Sequence, residues 1–426
     1  MRRVYTLIFT LALPIVFLRL LWRSRKAPEY RERWNERLGN FPTPTRHGSV
    51  VWFHTVSVGE FIAATPLIRH YLQRGASVVV TTTTPTGSAQ VRKTFGDQVF
   101  HVYGPYDLPL FVNRFLNKIK PKVCVLLETE LWPNLIRCCK RHNIPVILAN
   151  ARLSEKSFNA YARFPGLSKS MLNELSFAAI QNETDAKRFV ALGLPENRGE
   201  VIGSIKFDLD LAEELRARAQ DLSSSLHRQG NVVWIAASTH AGEDEIILEA
   251  YRTLKEKFNT LKLILVPRHP ERFATVRELC DATGFKVRQR SLGNPNDAAD
   301  VDILLGDTMG ELMLLFGAAD VAFIGGSLVE KGGHNYIEAA AWALPIVSGP
   351  STYNFSAVAK ELQRSGSLTI VNDANDMVET LAPLLEDDER RRDSGLAGKA
   401  VADKNRGATQ KLIGIIDSIG LNSENL

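Results

Sequence analysis

Acidic residues stand at the ends of two apolar runs in the first half of the 426-residue chain. His54-Thr-Val-Ser-Val-Gly-Glu60 leaves Val50–His54, a run with the character of a buried strand. Ser57 can cap the helix that follows, Gly59 removes a side chain where a ligand must come close, and Glu60 falls in the helix's opening turn. The partial positive charge at a helix N-terminus favours a carboxylate anion, so Glu60 is expected to be ionised at neutral pH and available as a general base. The competing role is a residue that only completes the helix cap. Leu127-Glu-Thr-Glu-Leu-Trp-Pro133 ends a second apolar strand in two acids. Strand alternation would put Glu128 and Glu130 on one face, and a turn between them would break that relation. A like charge beside a base raises its pKa, and Glu130 could instead orient a basic partner.

The residues that could meet an anion lie further on. Lys206 in Gly203-Ser-Ile-Lys-Phe-Asp208 offers a compact positive charge for a carboxylate or phosphate. Asp208-Leu-Asp210 has the spacing of an acidic metal motif, but Asp favours the first turn of a helix, and no metal is expected there. Arg268 and His269 in Val266-Pro-Arg-His-Pro-Glu-Arg272 project from the end of an apolar strand, where Arg can grip a phosphate in bidentate fashion. Gly306-Asp-Thr-Met-Gly-Glu-Leu312 is expected to open a helix at Met309–Glu311 and so present free backbone N–H groups. The most specific stretch runs from Phe323 to Val347. Gly325-Gly326-Ser327 ends a strand, Gly332-Gly333 gives bare backbone that a phosphate can approach, and Asn335 begins a helix with Glu338 one turn in, suited to a ribose diol. No GxxxxGK[ST] occurs, so this is not a P-loop.

Strands and helices in alternation must position these groups. Strands are expected at Val50–His54, Ser77–Thr82, Val99–Tyr103, Lys122–Leu127, Pro145–Ala149, Ser176–Gln181 and Glu200–Gly203, and again at Asn231–Ser238, Leu261–Pro267, Val301–Gly306, Asp320–Gly325, Pro345–Ser348 and Leu368–Val371. Helix-length segments such as Phe61–Gln73, Asn134–His142, Gly242–Phe258, Met309–Gly317, Asn335–Trp342 and Asn375–Leu385 lie between them. This pattern reads as βαβ units around buried parallel sheets. The stretch from Lys206 to Gln229 is charged, Ala- and Ser-rich and without a strand, which puts a domain boundary near residue 205. Two doubly wound domains in tandem are expected to hold their ligands in the crevice between them, at the carboxyl ends of the strands.

Length alone exceeds one core, and 45% hydrophobic with 23% charged residues is the balance of a folded chain. Four cysteines without CxxC spacing fit reduced thiols and not a zinc site or disulfide framework. The net charge of +5 is mild, and the basic residues crowd the N-terminus. Val4–Trp22 is almost wholly apolar between Arg2-Arg3 and Arg23, Arg25 and Lys26, long enough for a membrane helix and lacking a small-residue cleavage site. The positive charges after it put the remaining chain on the cytoplasmic side. The following basic stretch, with Tyr30, Trp34 and Leu38 at helical spacing, would either lie on an anionic membrane surface or form a solvated linker helix.

Taken together, HTVSVGE (54–60), ETELWPN (128–134), GSIKFD (203–208), PRHPERF (267–273), GDTMGEL (306–312) and GGHNYIEAAAWALPIV (332–347) resemble the 3-deoxy-D-manno-octulosonic acid (Kdo) transferases of lipopolysaccharide synthesis, over nearly the whole chain. The resemblance implies an α/β protein of two Rossmann-like doubly wound domains, the GT-B glycosyltransferase fold, behind an N-terminal membrane-anchor helix. Residues 1–25 would be the anchor, 26–205 the acceptor-binding domain and 206–426 the CMP-sugar-binding domain. It implies an inverting transfer of Kdo from CMP-Kdo to a lipid A precursor, lipid IVA, at the cytoplasmic face of the inner membrane, with no metal, no other cofactor and no nucleic acid. Glu60 would be the base, Glu130 a transition-state stabiliser and Lys206 the second, unless Asp208 takes that part. Pro267, Arg268, Met309, Gly310, Glu311, Asn335, Tyr336, Ile337 and Glu338 would hold CMP. Transfer of a different nucleotide sugar and a non-catalytic nucleotide-sugar-binding module are the alternatives; an NAD-dependent oxidoreductase fits less well, because the first strand leads into SVGE and not GxGxxG.

Overall fold

The computed structural model describes residues 1–25, 28–45, 48–209, 211–227, 230–293 and 301–421; Lys26 and Asp210 lie outside them. The chain divides into two compact units, one of residues 1–208 with 406–426 and one of residues 209–405. In the first, β1 (Val50–His54), β2 (Ser77–Thr82), β3 (Phe100–Tyr103), β4 (Val123–Leu127), β5 (Val146–Ala151), β6 (Phe177–Ile180) and β7 (Gly199–Val201) form a seven-stranded sheet in the order β3-β2-β1-β4-β5-β6-β7. In the second, β8 (Val233–Thr239), β9 (Lys262–Pro267), β10 (Val287–Gln289), β11 (Ile303–Leu305), β12 (Val321–Ile324), β13 (Ile346–Ser348) and β14 (Leu368–Ile370) form another in the order β10-β11-β9-β8-β12-β13-β14. Every pairing is parallel. All the expected strands are present, with ends shifted by at most two residues. Among the described residues one strand was unanticipated: β10, a three-residue edge strand whose Arg288 and Gln289 break any apolar run.

Parallel strands buried on both faces need apolar residues at every position, not at alternate ones. β1 satisfies this: Val50 and Trp52 pack into one core with Leu126 and Leu148, while Val51 and Phe53 pack into the opposite core with Val125 and Leu127. In each sheet the strand order reverses between two central strands, β1 and β4 in the first and β8 and β12 in the second. At such a switch point the loops at the carboxyl ends diverge and leave room for a ligand. Glu60 follows β1 and Glu128 and Glu130 follow β4; His240 follows β8 and Gly325 follows β12.

The expected second domain of 206–426 requires correction at both ends. The division falls after Asp208, and the chain returns to the first unit from Arg406 onward. The cause is the helix Ala408–Gly420, whose Leu412, Ile413 and Ile416 join the core formed by Val51, Phe53 and Val125. Gly420 makes the close approach possible, since a Cβ there would stand 2.5 Å from Val123 Cβ. The strandless stretch of sequence that follows β7 is a helix, Glu213–Leu226.

A 22-residue helix, Arg2–Arg23, opens the chain; it is long and apolar enough to cross a membrane. One side touches the first unit: Arg2 pairs with Glu174 at 2.7 Å, Thr6 Oγ1 donates to Asn134 Oδ1 at 3.1 Å, and Phe17 packs on Trp34 and Tyr106. The other side is bare, with Val4, Leu7, Ile8, Leu11, Ile15 and Leu18 each 55–70% exposed. The basic stretch after it is not the continuous surface helix considered above. It is a 3₁₀ turn, Pro28–Arg31, and a one-turn helix, Trp34–Arg37. Arg37 is buried, lies over the Tyr103 ring and donates to Thr83 O, and Arg33 reaches Ser88 and His101 O, so both cations serve the fold.

Candidate active site

In the first unit, Glu60 sits in the opening turn of helix Val58–Gln73. Ser57 is its N-cap: Ser57 Oγ accepts from Glu60 N and donates to Glu60 Oε1 at 2.7 Å, and the Val56 amide donates to Oε2 at 2.8 Å. The capping role is therefore real. The expectation of a plainly ionised carboxylate is not met, because Glu60 is only 7% exposed. Burial is the largest influence and raises its pKa, the Val56 and Ser57 hydrogen bonds lower it, and the charges of Glu130 and Glu128 raise it again, leaving it pushed up to about 7. A carboxylate held there exchanges a proton readily at neutral pH, which suits a general base better than a fully ionised one.

Glu128 and Glu130 do not share a face. The chain turns as β4 ends, with Glu130 N bonded to Leu127 O and Glu128 in the left-handed region at φ +54°. For a non-glycine residue that conformation costs on the order of 1–3 kcal/mol and persists only where its surroundings impose it. Here the Glu128 amide donates to Ala149 O at 2.9 Å, and its side chain meets Lys206 Nζ at 2.5 Å and Arg152 at 3.8 Å. Glu130 accepts from Trp132 Nε1 at 2.7 Å, and burial, opposed by that bond, raises its pKa. Behind Trp132 lies His54, fully buried against the indole edge and bonded through Nδ1 to Thr81 Oγ1. Burial lowers its pKa to about 4, so it is a neutral support.

Lys206 is thus half of an ion pair with Glu128, a partner that sequence reasoning did not assign to it. Asp208 is occupied otherwise. Both its carboxylate oxygens accept backbone amides, from Gly407 and Thr409, where the C-terminal helix begins. Of the two candidates for second stabiliser, Asp208 is an anchor for that helix and Lys206 is the one beside the acids.

In the second unit the glycine loop differs from expectation. The Gly326, Ser327 and Leu328 amides donate to one carboxylate, Glu243, at 2.7–2.9 Å, and His240 N donates to it as well. Glu243 is 0% exposed. Gly332 N is taken by Ser351 Oγ and Gly333 N by Gly326 O. The amides of the Gly326–Leu328 turn and of Gly332 and Gly333 therefore already hold protein acceptors, and Glu243 fills the anion-binding turn. Its sequence context, Gly242-Glu-Asp-Glu245, looks like any acidic helix start; only the approach of β12 to β8 distinguishes Glu243.

Among the described residues the Arg268 guanidinium has no ion pair, and it stands exposed just past Pro267, the last residue of β9. Nearby Arg272 is committed to the buried Asp244 and to Thr239 O. The helix expected to open at Met309–Glu311 begins only at Leu312, leaving Met309 exposed and Gly310 at φ +87° in a turn. Glu311 accepts from Thr308 Oγ1 and from Arg290, with Arg218 at 3.5 Å; burial would raise its pKa, but these partners hold it below the usual carboxylate range. Asn335 caps helix Tyr336–Ala341 through Ile337 N and donates to Glu338 Oε1 at 3.1 Å. Tyr336 and Ile337 are buried, the former bonded to Ser348, so Asn335 and Glu338 are the pair of that motif with side chains left partly open. Burial raises the Glu338 pKa against the pull of Asn335 and Arg268.

Comparison with known proteins places the whole chain among relatives of one family. Residues 32–209 match the family described as 3-deoxy-D-manno-octulosonic-acid transferase (kdotransferase), and residues 243–401 match glycosyl transferases group 1. The chain is 42% identical to a 3-deoxy-D-manno-octulosonic acid transferase of Haemophilus influenzae over 97% of both chains. It is 33% identical to one of Bordetella pertussis over 98% of this chain and 99% of that one. Among solved structures, UDP-GlcNAc 2-epimerase from Neisseria meningitidis shares the fold at TM-score 0.59 and 15% identity, covering 87% of this chain and 99% of its own. A glycosyltransferase from Rickettsia africae does so at TM-score 0.59 and 13% identity, covering 88% and 100%.

Proposed function

The chain belongs to the family of 3-deoxy-D-manno-octulosonic acid transferases, and from that premise we propose that it transfers Kdo from CMP-Kdo to a hydroxyl of a lipid A precursor, lipid IVA, with inversion and with Glu60 as general base. The observation that carries the reading is the buried Glu60 carboxylate beside Glu128 and Glu130, with its pKa pushed up to about 7. In this mechanism Glu60 takes the proton of the acceptor hydroxyl as that oxygen attacks the anomeric carbon of Kdo. Cationic character develops at that carbon as the phosphate leaves, and Glu130 lies in the unit that offers it a carboxylate. Lys206, kept in place by Glu128, supplies the compensating positive charge.

The donor falls to the second unit in this reading. Arg268 meets the phosphate, with Pro267 before it; Met309, Gly310 and Glu311 shape the turn beside the nucleotide; Asn335, Tyr336, Ile337 and Glu338 bind the ribose and base, the middle two through backbone. Charge on the departing phosphate is met by fixed protein cations, a form of electrostatic stabilisation that needs no metal. The bare apolar side of Arg2–Arg23 would hold the enzyme on the inner membrane, with the catalytic units on the cytoplasmic face where the lipid acceptor is presented. Mass spectrometry of lipid IVA incubated with CMP-Kdo and the protein tests the assignment: Kdo-bearing product supports it, and unchanged acceptor with transfer from a UDP-sugar in a parallel reaction refutes it.

A further inference from the structure

Two histidines that the mechanism above leaves unused meet in the second unit. His240 follows β8, and His334 follows the Gly332-Gly333 turn; their Nε2 atoms lie 2.9 Å apart, with ring planes within 6° of parallel. A bond between two ring nitrogens needs one hydrogen between them and fails if both carry one. The pair can thus be neutral or hold a single extra proton. Gly326 makes the contact possible, since a Cβ at its φ of +68° would press to 3.0 Å from the His334 ring. Glu243 fixes the other side, accepting from His240 N and Gly326 N together.

The groups facing the pair are mostly cationic or basic. His334 is lowered to about 4 by burial and then by Arg268, His240 and His269. His240 is lowered by burial, by His269, Arg272 and Lys331, against the pull of Glu243. Without an anion the pair is therefore neutral at pH 7. An arriving phosphate offsets Arg268 and Lys331 and offers an acceptor, which favours the charged imidazole.

We propose that the His240–His334 pair takes up one proton when the donor phosphate binds and delivers it to the departing phosphate oxygen, as the general acid that complements Glu60. This rests on reading the second unit as the CMP-Kdo site. In the step, the bond from the anomeric carbon to the phosphate oxygen breaks, its electron pair stays on that oxygen, and the oxygen receives the pair's proton. The acceptor oxygen bonds to the carbon as its own proton goes to Glu60, which then releases it to water; the pair is left neutral and takes up its next proton when the next donor phosphate binds.

Two measurements on the full-length protein decide it. Titration calorimetry with CMP at pH 7, in buffers of different ionisation enthalpy, counts protons: the expected result is uptake of about one by the wild type, lost in His334→Asn and His240→Asn. Steady-state rates with CMP-Kdo and lipid IVA should show kcat down by ~10²-fold or more in each variant, with the alkaline limb of the kcat profile gone and CMP affinity changed less than about tenfold. The proton count on the wild type needs no substitution, so absence of uptake overturns the proposal even if a variant fails to fold. Uptake with unchanged kcat in the variants overturns the acid role. In both those cases Kdo transfer by the wild type leaves the proposed function standing, whereas absence of transfer by the wild type overturns both.

Discussion

Ser57→Ala is the perturbation whose effect on Glu60 can be worked out from the geometry. The change removes a hydroxyl that donates to Glu60 Oε1 at 2.7 Å and leaves the Val56 amide on Oε2. A hydrogen bond to a charged group contributes about 1.5–3 kcal/mol, and water entering the vacated position recovers part of that. With about 1.4 kcal/mol corresponding to one pKa unit, the Glu60 pKa should rise by about one unit from its value of about 7. At pH 7 the ionised fraction then falls from about one half to about one tenth, so kcat/KM should fall about fivefold. Above pH 9 the rate should return to within about twofold of wild type, because the carboxylate is again ionised. The assay is kcat/KM for Kdo transfer at half-unit pH steps from 5.5 to 9.5, chosen to bracket the limb at about 7. Loss of the N-cap costs about 1 kcal/mol of stability as a side effect, visible as a slightly lower unfolding midpoint. An ascending limb that stays in place, or a rate reduced by the same factor at every pH, would refute the argument that this hydroxyl tunes Glu60.

Other consequences can be checked independently. Because the folded-state pKa of Glu60 is raised, the folded protein holds that proton to higher pH; the associated stability is full below the ordinary carboxylate range and is lost as pH rises through about 7. Glu60→Gln should therefore be at least as resistant to denaturant as wild type at pH 8, and a lower midpoint at that pH would contradict the burial argument. Asp208→Ala strands the Gly407 and Thr409 amides and should destabilise the first unit by about 1–3 kcal/mol while CMP affinity stays the same, as calorimetry would read. Glu243→Ala leaves four backbone donors without their acceptor and should cost about 3 kcal/mol or more, with CMP binding weakened at temperatures where the protein is still folded. Replacing Leu7, Leu11 and Ile15 with Ser on the exposed side of the first helix should shift the protein from the membrane pellet to the supernatant after cell fractionation, and an unchanged pellet fraction would argue against that face as the anchor.

Both doubly wound sheets were legible because a strand buried on two faces needs an unbroken apolar run, and runs such as 123–127 and 263–267 end where polar residues begin. Glu60, Glu130 and Arg268 follow the ends of such runs, as the sequence pattern implied. What was not legible depends on contacts between residues far apart in sequence. Nothing local marks Glu128 as the partner of Lys206, 78 residues away, or Asp208 as the anchor of a helix 200 residues later. The same holds for Glu243, whose neighbours Asp244 and Glu245 look equivalent until β12 brings the Gly326 turn against it. Glycines signalled close approach correctly at Gly326, but the group that approaches is a histidine ring and a buried carboxylate from the protein itself. Burial lowered the ionisation expected of Glu60 for a similar reason: the helix dipole is visible in sequence, and the depth of the side chain is not.

The central claim is that Glu60 removes the acceptor proton during transfer from CMP-Kdo. Its most direct test is single-turnover conversion of lipid IVA by Glu60→Gln beside wild type, followed by mass spectrometry, with CMP affinity measured on the same preparations. A loss of ~10²–10⁴-fold in the rate of Kdo addition, with CMP affinity retained, is the predicted result. Kdo addition by Glu60→Gln at the wild-type rate would contradict it.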